Sequence, residues 1–162
     1  MPSTLTYRFS LLDLINLTCY RKRPQMNLAI LTLMINAGLC VLIWIVQLVV
    51  YPSFRHYSEA EMKYWHPIYT VQITYIVLPL MVSQLGLYIY DAMRTSSWPT
   101  FLVLALVVAT WLVTFLISIP LHNAIDQKTD SMPAREKLIQ TNWIRTGIWT
   151  LVLMLSVVFY GM

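Results

Sequence analysis

The chain has 162 residues, of which 58% are hydrophobic and only 11% charged, and its mean hydropathy is +0.63. A soluble domain carries roughly 25% charged residues, and one small core cannot hide this much apolar surface, so the composition predicts an integral membrane protein. The length excludes a large soluble catalytic domain, a nucleotide-binding module and a multidomain receptor.

Residues 1–25 form a basic tail. An apolar stripe runs through it beside its arginines and lysine, namely Phe9, Leu12, Ile15 and Leu17 with Arg8, Arg21, Lys22 and Arg23. This pattern is compatible with a short amphipathic helix in the membrane interface. The alternative is that the essential protein begins at Met26 and the tail is dispensable.

Four apolar stretches follow the tail, at about 28–50, 67–90, 99–121 and 142–160. Each is close to the roughly 20 residues that a helix needs to cross the hydrocarbon of a bilayer. The sequence therefore predicts an all-α fold, an antiparallel four-helix transmembrane bundle over residues 26–162. Loops are expected at 52–66 and 122–141, both at one end of the bundle.

The net charge of +4 comes from eleven basic and seven acidic residues. In so apolar a chain this excess indicates topology, and no nucleic-acid partner is expected. The basic cluster beside the first span places both termini on the cytoplasmic side of a plasma or inner membrane. The expected partners are the lipid bilayer and a lipophilic small molecule, with a homo-oligomer or a membrane complex left open.

Polar and aromatic residues within the spans fall towards one end of the predicted bundle. In the fourth span Asn142, Arg145 and Trp149 share a helical face by their spacing. Hydrocarbon gives polar groups no partner, so such residues are expected to face one another inside the bundle. The sequence predicts a pocket at the end formed by the two longer loops, built from Trp44, Gln47, Tyr51, His66, Tyr69, His122, Asn142, Arg145 and Trp149.

Three of these residues are candidate catalytic groups. Arg145 is suited to bind an oxyanion, and His66 or His122 to transfer a proton. Two structural alternatives stay open: Arg145 extends to the lipid headgroups, and His66, beside Trp65, is an ordinary interfacial residue.

The histidines do not form a recognisable metal motif. The chain has no His pair at i, i+4 and no HExxH, and the predicted spans contain no Asp or Glu. Di-metal carboxylate chemistry is therefore disfavoured, and no metal ligand is assigned. The sequence requires no cofactor, but it leaves bis-His haem or a bound quinone open.

Two segments resemble a known family. The stretch 120–125 (PLHNAI) and the block 141–146 (TNWIRT), followed by Trp149, are similar to the anthrone-oxygenase-like family of small four-helix membrane proteins. The resemblance covers about residues 28–162. It extends to the first half through the motif positions Trp44, Gln47, Tyr51, Pro52, Phe54, Glu61 and His66 and the segment 78–81.

The resemblance implies a four-helix integral membrane protein, much of whose family has no assigned function. A minority of relatives oxidise anthrones to anthraquinones with oxygen. The motif positions that carry over as site residues include Asn123 and Trp143, which the resemblance adds to the expected substrate-binding set.

Two functions remain as alternatives. The first is an oxygen-dependent oxidation of a lipophilic phenolic, anthrone-like or quinol-like substrate, with Arg145 stabilising an oxyanion, Asn142 and Tyr51 assisting, and a histidine acting as base. The second is a non-catalytic membrane subunit or ligand-binding protein whose inward polar cluster fixes the helix packing.

Overall fold

The computed structural model describes the backbone of residues 11–160 and the side chains of residues 27–159. All regular structure in that part of the chain is helical. It includes four helices long and apolar enough to cross a membrane, which we call the first to fourth helices: Asn27–His56, Glu59–Thr95, Trp98–Gln127 and Met132–Phe159. The predicted all-helical fold with four such helices is confirmed. The side chains of the tail predicted to be amphipathic lie outside the described residues.

The four helices are built from shorter regular elements. The first begins within the α-helix Leu11–Ile45 and continues through a π-helical turn Val46–Val50, a short α-helix Tyr51–Ser53 and a 3₁₀ turn Phe54–His56. The second is the single α-helix Glu59–Thr95. The third comprises Trp98–Val113, a π-helical turn Thr114–Ser118 and Ile119–Gln127, and the fourth is Met132–Tyr160.

The connections are shorter than hydropathy predicts. Residues 57–58, 96–97 and 128–131 join the helices, so the loops expected at 52–66 and 122–141 are largely helical. The second helix begins early because Ser58 and Glu61 form a reciprocal capping box. Hydropathy marks only the apolar part of a helix, whereas caps allow its polar ends to continue. We call the end formed by residues 57–58 and 128–131 the double-loop end.

Both π-helical turns lie just before a proline. Pro52 follows the turn Val46–Val50, and Pro120 follows the turn Thr114–Ser118. A proline has no N–H to donate to the carbonyl four residues earlier, and its ring crowds that carbonyl. The wider turn accommodates this interruption, and it is a form that occurs frequently at functional sites.

Each helix packs against its two neighbours in the order first, second, third and fourth. A buried polar cluster joins three of them: Asn36 donates to Tyr88 Oη at 2.7 Å and to Ser156 Oγ at 2.8 Å. The Asn36 carbonyl oxygen accepts from Gln84 Nε2 at 2.7 Å. Every amide and hydroxyl group of this cluster is hydrogen-bonded, so the cluster holds the first, second and fourth helices in register.

Arg135, which has no exposed surface, organises the double-loop end. Its Nη1 donates to the carbonyls of Phe54 and Tyr57 at 3.0 and 2.7 Å, where the first helix ends. Its Nη2 lies 2.9 Å from Glu59, and its Nε donates to Ser131. One guanidinium thus neutralises the carbonyl end of the first helix and fastens it to the second and fourth.

The replacement Arg135→Gln is expected to lower the free energy of unfolding by about 2–4 kcal/mol, because it leaves two carbonyls without a donor. The matched control is Arg55→Gln, which removes the exposed ion pair with Glu136 at the same end and is expected to have little effect. Thermal unfolding of the purified variants in detergent measures both. Equal losses would contradict the assigned role of Arg135.

Candidate functional site

A cavity of about 180 Å³ lies among the four helices. Its wall is mostly apolar, and all four helices contribute to it. The residues with polar atoms or indole rings in the wall include Tyr51, Tyr69, Trp111, Ser118, His122, Arg145 and Trp149. An apolar cavity with a few convergent polar groups is the usual form of a site for a small lipophilic molecule.

The two π-helical turns shape this cavity. Val46 from the first turn lines it, and so do Thr114 and Ser118 from the second. Tyr51 directly follows the first turn, and His122 lies four residues after Ser118, the last residue of the second. The prolines therefore place the widened turns and the polar side chains that follow them on the same cavity.

The cavity opens on the side of the second and third helices. Leu78, Phe115 and Ile119 line it and are nevertheless 46%, 54% and 40% exposed. Its opposite side is closed by the buried residues Ile43 and Trp149 of the first and fourth helices. A ligand would reach the interior between two apolar helix surfaces.

Arg145 is the charged group of the cavity wall and is 7% exposed. Its Nη1 makes long contacts of 3.4 Å with Ser118 Oγ and Asn142 Oδ1, and its guanidinium lies 5.0 Å from the ring centre of Trp149. Among the described residues, no carboxylate forms an ion pair with it. The guanidinium has lost water without gaining an anion, a combination that is costly unless a partner is supplied.

Two buried donors of the cavity residues have no hydrogen-bond partner, Arg145 Nε and Trp111 Nε1. The remaining buried atom without a hydrogen bond in the described part of the chain is Arg135 Nη2, which is compensated by the ion pair with Glu59. Buried donors are nearly always satisfied in folded proteins. Two orphan donors on residues of one cavity indicate a place for a ligand that accepts hydrogen bonds.

A chain of hydrogen bonds leads from the cavity towards the double-loop end. Tyr51 Oη lies 3.1 Å from His122 Nε2, and His122 Nδ1 lies 2.9 Å from His66 Nε2. His66 Nδ1 lies 2.6 Å from Asp126 Oδ1. His66 is fully buried, whereas the Asp126 side chain is 31% exposed. The four groups form one continuous series from the cavity wall to the surface.

The carboxylate of Asp126 determines which group donates in each hydrogen bond of this series. An ionised carboxylate only accepts, so His66 donates through Nδ1 and accepts at Nε2. His122 then donates to His66 through Nδ1, and its Nε2 accepts a hydrogen bond from the Tyr51 hydroxyl. His122 is therefore held in the tautomer that can take a proton from the cavity.

Gln47 and Asn142 brace the site from behind. Asn142 Nδ2 donates to Gln47 Oε1 at 2.8 Å, and Gln47 Nε2 donates to the carbonyl of Ile139 at 3.2 Å. Both residues are almost completely buried. Asn142 is left with its carbonyl oxygen towards Arg145, so the pair orients the arginine.

The predicted site residues fall into three groups. Tyr51, Tyr69, His122, Arg145 and Trp149 line the cavity. Three more lie behind the lining residues: His66 contacts His122, Asn142 contacts Arg145, and Gln47 contacts Asn142. The remaining three are not among its lining residues: Trp44, Asn123 and Trp143 are exposed on the outer surface.

The two outer tryptophans contact each other outside the cavity. Trp44 and Trp143 pack edge to face with ring centres 5.8 Å apart, and Trp44 Nε1 donates to Thr150. They therefore fasten the first helix to the fourth on the surface. Helical spacing grouped Trp44 with Gln47, but it does not specify how far each helix is rotated about its axis.

Sequence reasoning missed Asp126. It lies one residue before the end of the third helix, in a stretch that hydropathy assigned to a loop. Continuing the helix by six residues past the predicted span would have placed His122 and Asp126 four residues apart on one face. Within the described residues no group of three or more His, Cys, Asp or Glu side chains is arranged to hold a metal ion. The ring nitrogens of His66 and His122 are instead engaged in the hydrogen-bond series.

Comparisons with protein-family models, with curated proteins and with solved structures found no match to this chain.

If the cavity binds lipophilic phenols, a dibromophenol in contact with Trp111 and Trp149 is expected to quench their fluorescence in a saturable manner. The double variant Trp111→Phe/Trp149→Phe should lose this saturable component. The control Trp98→Phe/Trp143→Phe removes two exposed indoles and should retain it. Fluorescence titration in detergent provides the measurement, and unchanged quenching in the first variant would contradict binding in this cavity.

Proposed function

We propose that the protein is an integral membrane protein that binds a lipophilic phenol or enol in this cavity and removes its proton, as a step in oxygen-dependent oxidation. The observation that carries the proposal is the buried guanidinium of Arg145, which has no carboxylate partner among the described residues and lines the same cavity as His122, whose Nε2 is bonded to the Tyr51 hydroxyl. The resemblance to the anthrone-oxygenase-like family supports the same function.

Insertion of the four helices into a bilayer is part of the proposal. Large apolar side chains are exposed along the helices, among them Met34, Val41, Val82, Leu116 and Met154. Soluble proteins rarely expose so much contiguous apolar surface. The contacts between the first and fourth helices also support an antiparallel arrangement, because Asn36 contacts Ser156 whereas Gln47, farther along, contacts Asn142. Both termini would then lie on the same side of the membrane, and the basic cluster before the first span favours the cytoplasmic side of a plasma or inner membrane.

Arg145 is proposed to bind the oxygen of the ligand as an oxyanion. Charge on a phenolate or enolate oxygen is stabilised most where water is excluded and a fixed cation stands ready. The indole N–H of Trp111 is a further donor for the same ligand, and the aromatic walls suit a flat ring. The oxyanion would supply the partner that the guanidinium lacks.

His122 is proposed as the base. Its Nε2 faces the Tyr51 hydroxyl, so a ligand hydroxyl or an acidic ring C–H that takes this position would give its proton to the same lone pair. Tyr51 and Tyr69 then remain as hydrogen-bonding and stacking walls. His66 does not line the cavity, so its proposed contribution is to hold His122.

Deprotonation prepares an electron-rich carbon for oxygen. For an anthrone, His122 would take a proton from the ring CH₂ group, and the resulting carbanion would add to O₂. The peroxide anion would then take one proton back through His122 to give a hydroperoxide. Loss of water then leaves the second ketone, so that one anthrone and one O₂ give one anthraquinone and one water. The ring carbon is oxidised and O₂ is reduced, with the ligand supplying the electrons.

The alternative is a non-catalytic subunit or ligand-binding protein whose polar interior fixes the helices. The fully bonded cluster around Asn36 favours this role for one part of the interior. In that case Arg145 serves through its contacts with Ser118 and Asn142, and removing it should weaken the fold.

Arg145→Gln is expected to weaken binding of a lipophilic 4-nitrophenol, in its phenolate form, at least about tenfold, which corresponds to about 1.4 kcal/mol. Loss of the cation removes the partner of the anion, whereas the amide still reaches neighbouring polar groups. Phenolate absorbance during titration of the purified protein reports binding, and thermal unfolding of the same samples reports stability. Arg94→Gln is the matched control, because Arg94 is exposed at the opposite end.

The two functions predict opposite results for these variants. Lost phenolate binding with a nearly unchanged melting temperature supports the pocket. Unchanged binding together with a marked fall in the melting temperature of Arg145→Gln would favour the structural alternative.

Turnover of an anthrone is expected to fall at least about a hundredfold in His122→Gln, because general-base catalysis typically contributes 10²–10⁴-fold. Oxygen uptake and anthraquinone absorbance should give a ratio of one to one in the unmodified protein. His56→Gln, an exposed histidine near the same end, is the control and should keep full turnover. Full turnover in His122→Gln would exclude the proposed base.

A further inference from the structure

The hydrogen bonds beyond His122 lead from the cavity to the protein surface, which the proposed function does not by itself require. His122 borders the cavity, His66 is completely buried, and the Asp126 side chain is 31% exposed near the end of the third helix. Asp126 lies two residues from the 128–131 loop, at the double-loop end. The series therefore joins the apolar cavity to a surface outside the apolar part of the helices.

The charges around the histidine pair favour movement of a proton away from the cavity. The charged and titratable groups near the pair are Arg145 and Tyr51 on the cavity side, Tyr69 beside the His66 ring, and Asp126 on the far side. An imidazolium at His122 would stand near the positive Arg145 and be repelled. A proton on His66 would instead lie on the side away from Arg145, where Nδ1 is 2.6 Å from the Asp126 carboxyl.

A proton can pass along the series with one transfer at each bond. When His122 Nε2 takes a proton from the ligand, the proton on its Nδ1 moves to His66 Nε2. His66 is then an imidazolium paired with the Asp126 carboxylate, and water at the exposed carboxylate takes the Nδ1 proton by way of Asp126. The charge of the proton thus leaves the cavity. The ligand anion stays there, paired with the Arg145 guanidinium.

We infer that His66 and Asp126 form a proton exit from the cavity to the surface at the double-loop end, and that Asp126 is the positioning residue that keeps Nε2 of His122 unprotonated and able to accept. This inference rests on the proposed function, since it concerns the same ligand proton. The ligand enters between the second and third helices, whereas its proton leaves at the helix ends and a proton returns by the same route when the peroxide anion forms.

Asp126→Asn tests the positioning directly. The amide of the variant can donate to His66 Nδ1, which forces the His66 proton onto Nε2 and the His122 proton onto Nε2 as well. The lone pair that faces the cavity is then lost, although no group that lines the cavity has changed. An equivalent tautomer reversal disables the catalytic histidine of serine proteases when their buried Asp is replaced by Asn.

The measurement is stopped-flow absorbance of a lipophilic 4-nitrophenol mixed with the purified protein over a pH series. In the unmodified protein, bound phenolate should form well below the pH at which the free phenol ionises. In Asp126→Asn the midpoint of phenolate formation should move upward by at least about one pH unit, a tenfold change in proton concentration. Below that midpoint, phenolate should form at least tenfold more slowly.

Above the pH at which the free phenol ionises, Asp126→Asn should bind phenolate as the unmodified protein does, because Arg145 is intact. The control Asp130→Asn removes an exposed carboxylate in the neighbouring loop that accepts from the Met132 N–H, and it should leave midpoint and rate unchanged. Asp126→Glu restores a carboxylate and should recover part of both. This recovery separates lost positioning from lost folding.

An unchanged midpoint and rate in Asp126→Asn would overturn the exit route while leaving the Arg145 site in place. Equal shifts in Asp126→Asn and Asp130→Asn would also overturn it, because the effect would then be one of general surface charge. If the unmodified protein binds no phenolate at any pH, the proposed function fails and the exit route fails with it.

Discussion

The Arg145 guanidinium is held inside an apolar bundle by neutral groups alone in the part of the chain that the structure describes. A buried cation of this kind is costly, so the surrounding structure must place it firmly and leave it something to bind. Asn142, itself braced by Gln47, supplies one oxygen, and the Trp149 ring supplies a π face. The cavity in front of the guanidinium is the space in which an anion can complete the site.

Two polar regions of the interior contain similar side chains but differ in whether those side chains are fully hydrogen-bonded. Around Asn36, amides and hydroxyls from three helices satisfy one another at 2.6–2.8 Å, so this region stabilises the packing. Around Arg145 the contacts are long and two donors of the cavity residues have no partner. The difference is one of completeness, because a satisfied network binds its own helices and an unsatisfied one is available to a ligand.

The sequence identified the polar residues that are rare within the apolar spans. His66, His122 and Arg145 stand out because polar groups are rare in apolar spans, and they do meet at one end of the bundle. Asp126 was hidden because hydropathy ends the third span at residue 121, whereas the helix continues to Gln127. Trp44 lies outside the cavity because helical spacing groups side chains on a face without specifying the direction of that face, and Trp143, which the family resemblance added, lies beside it on the outer surface.

The sequence by itself determined the all-helical fold, since its composition and four long apolar stretches predict four helices long enough to cross a membrane. It also identified the end of the bundle where polar groups collect. Tertiary structure alone decided which of those groups are paired. That outcome depends on helix rotation, on two widened turns and on contacts between residues up to 120 positions apart, such as Asn36 and Ser156. Local spacing carries no information about these contacts, because each partner belongs to a different helix.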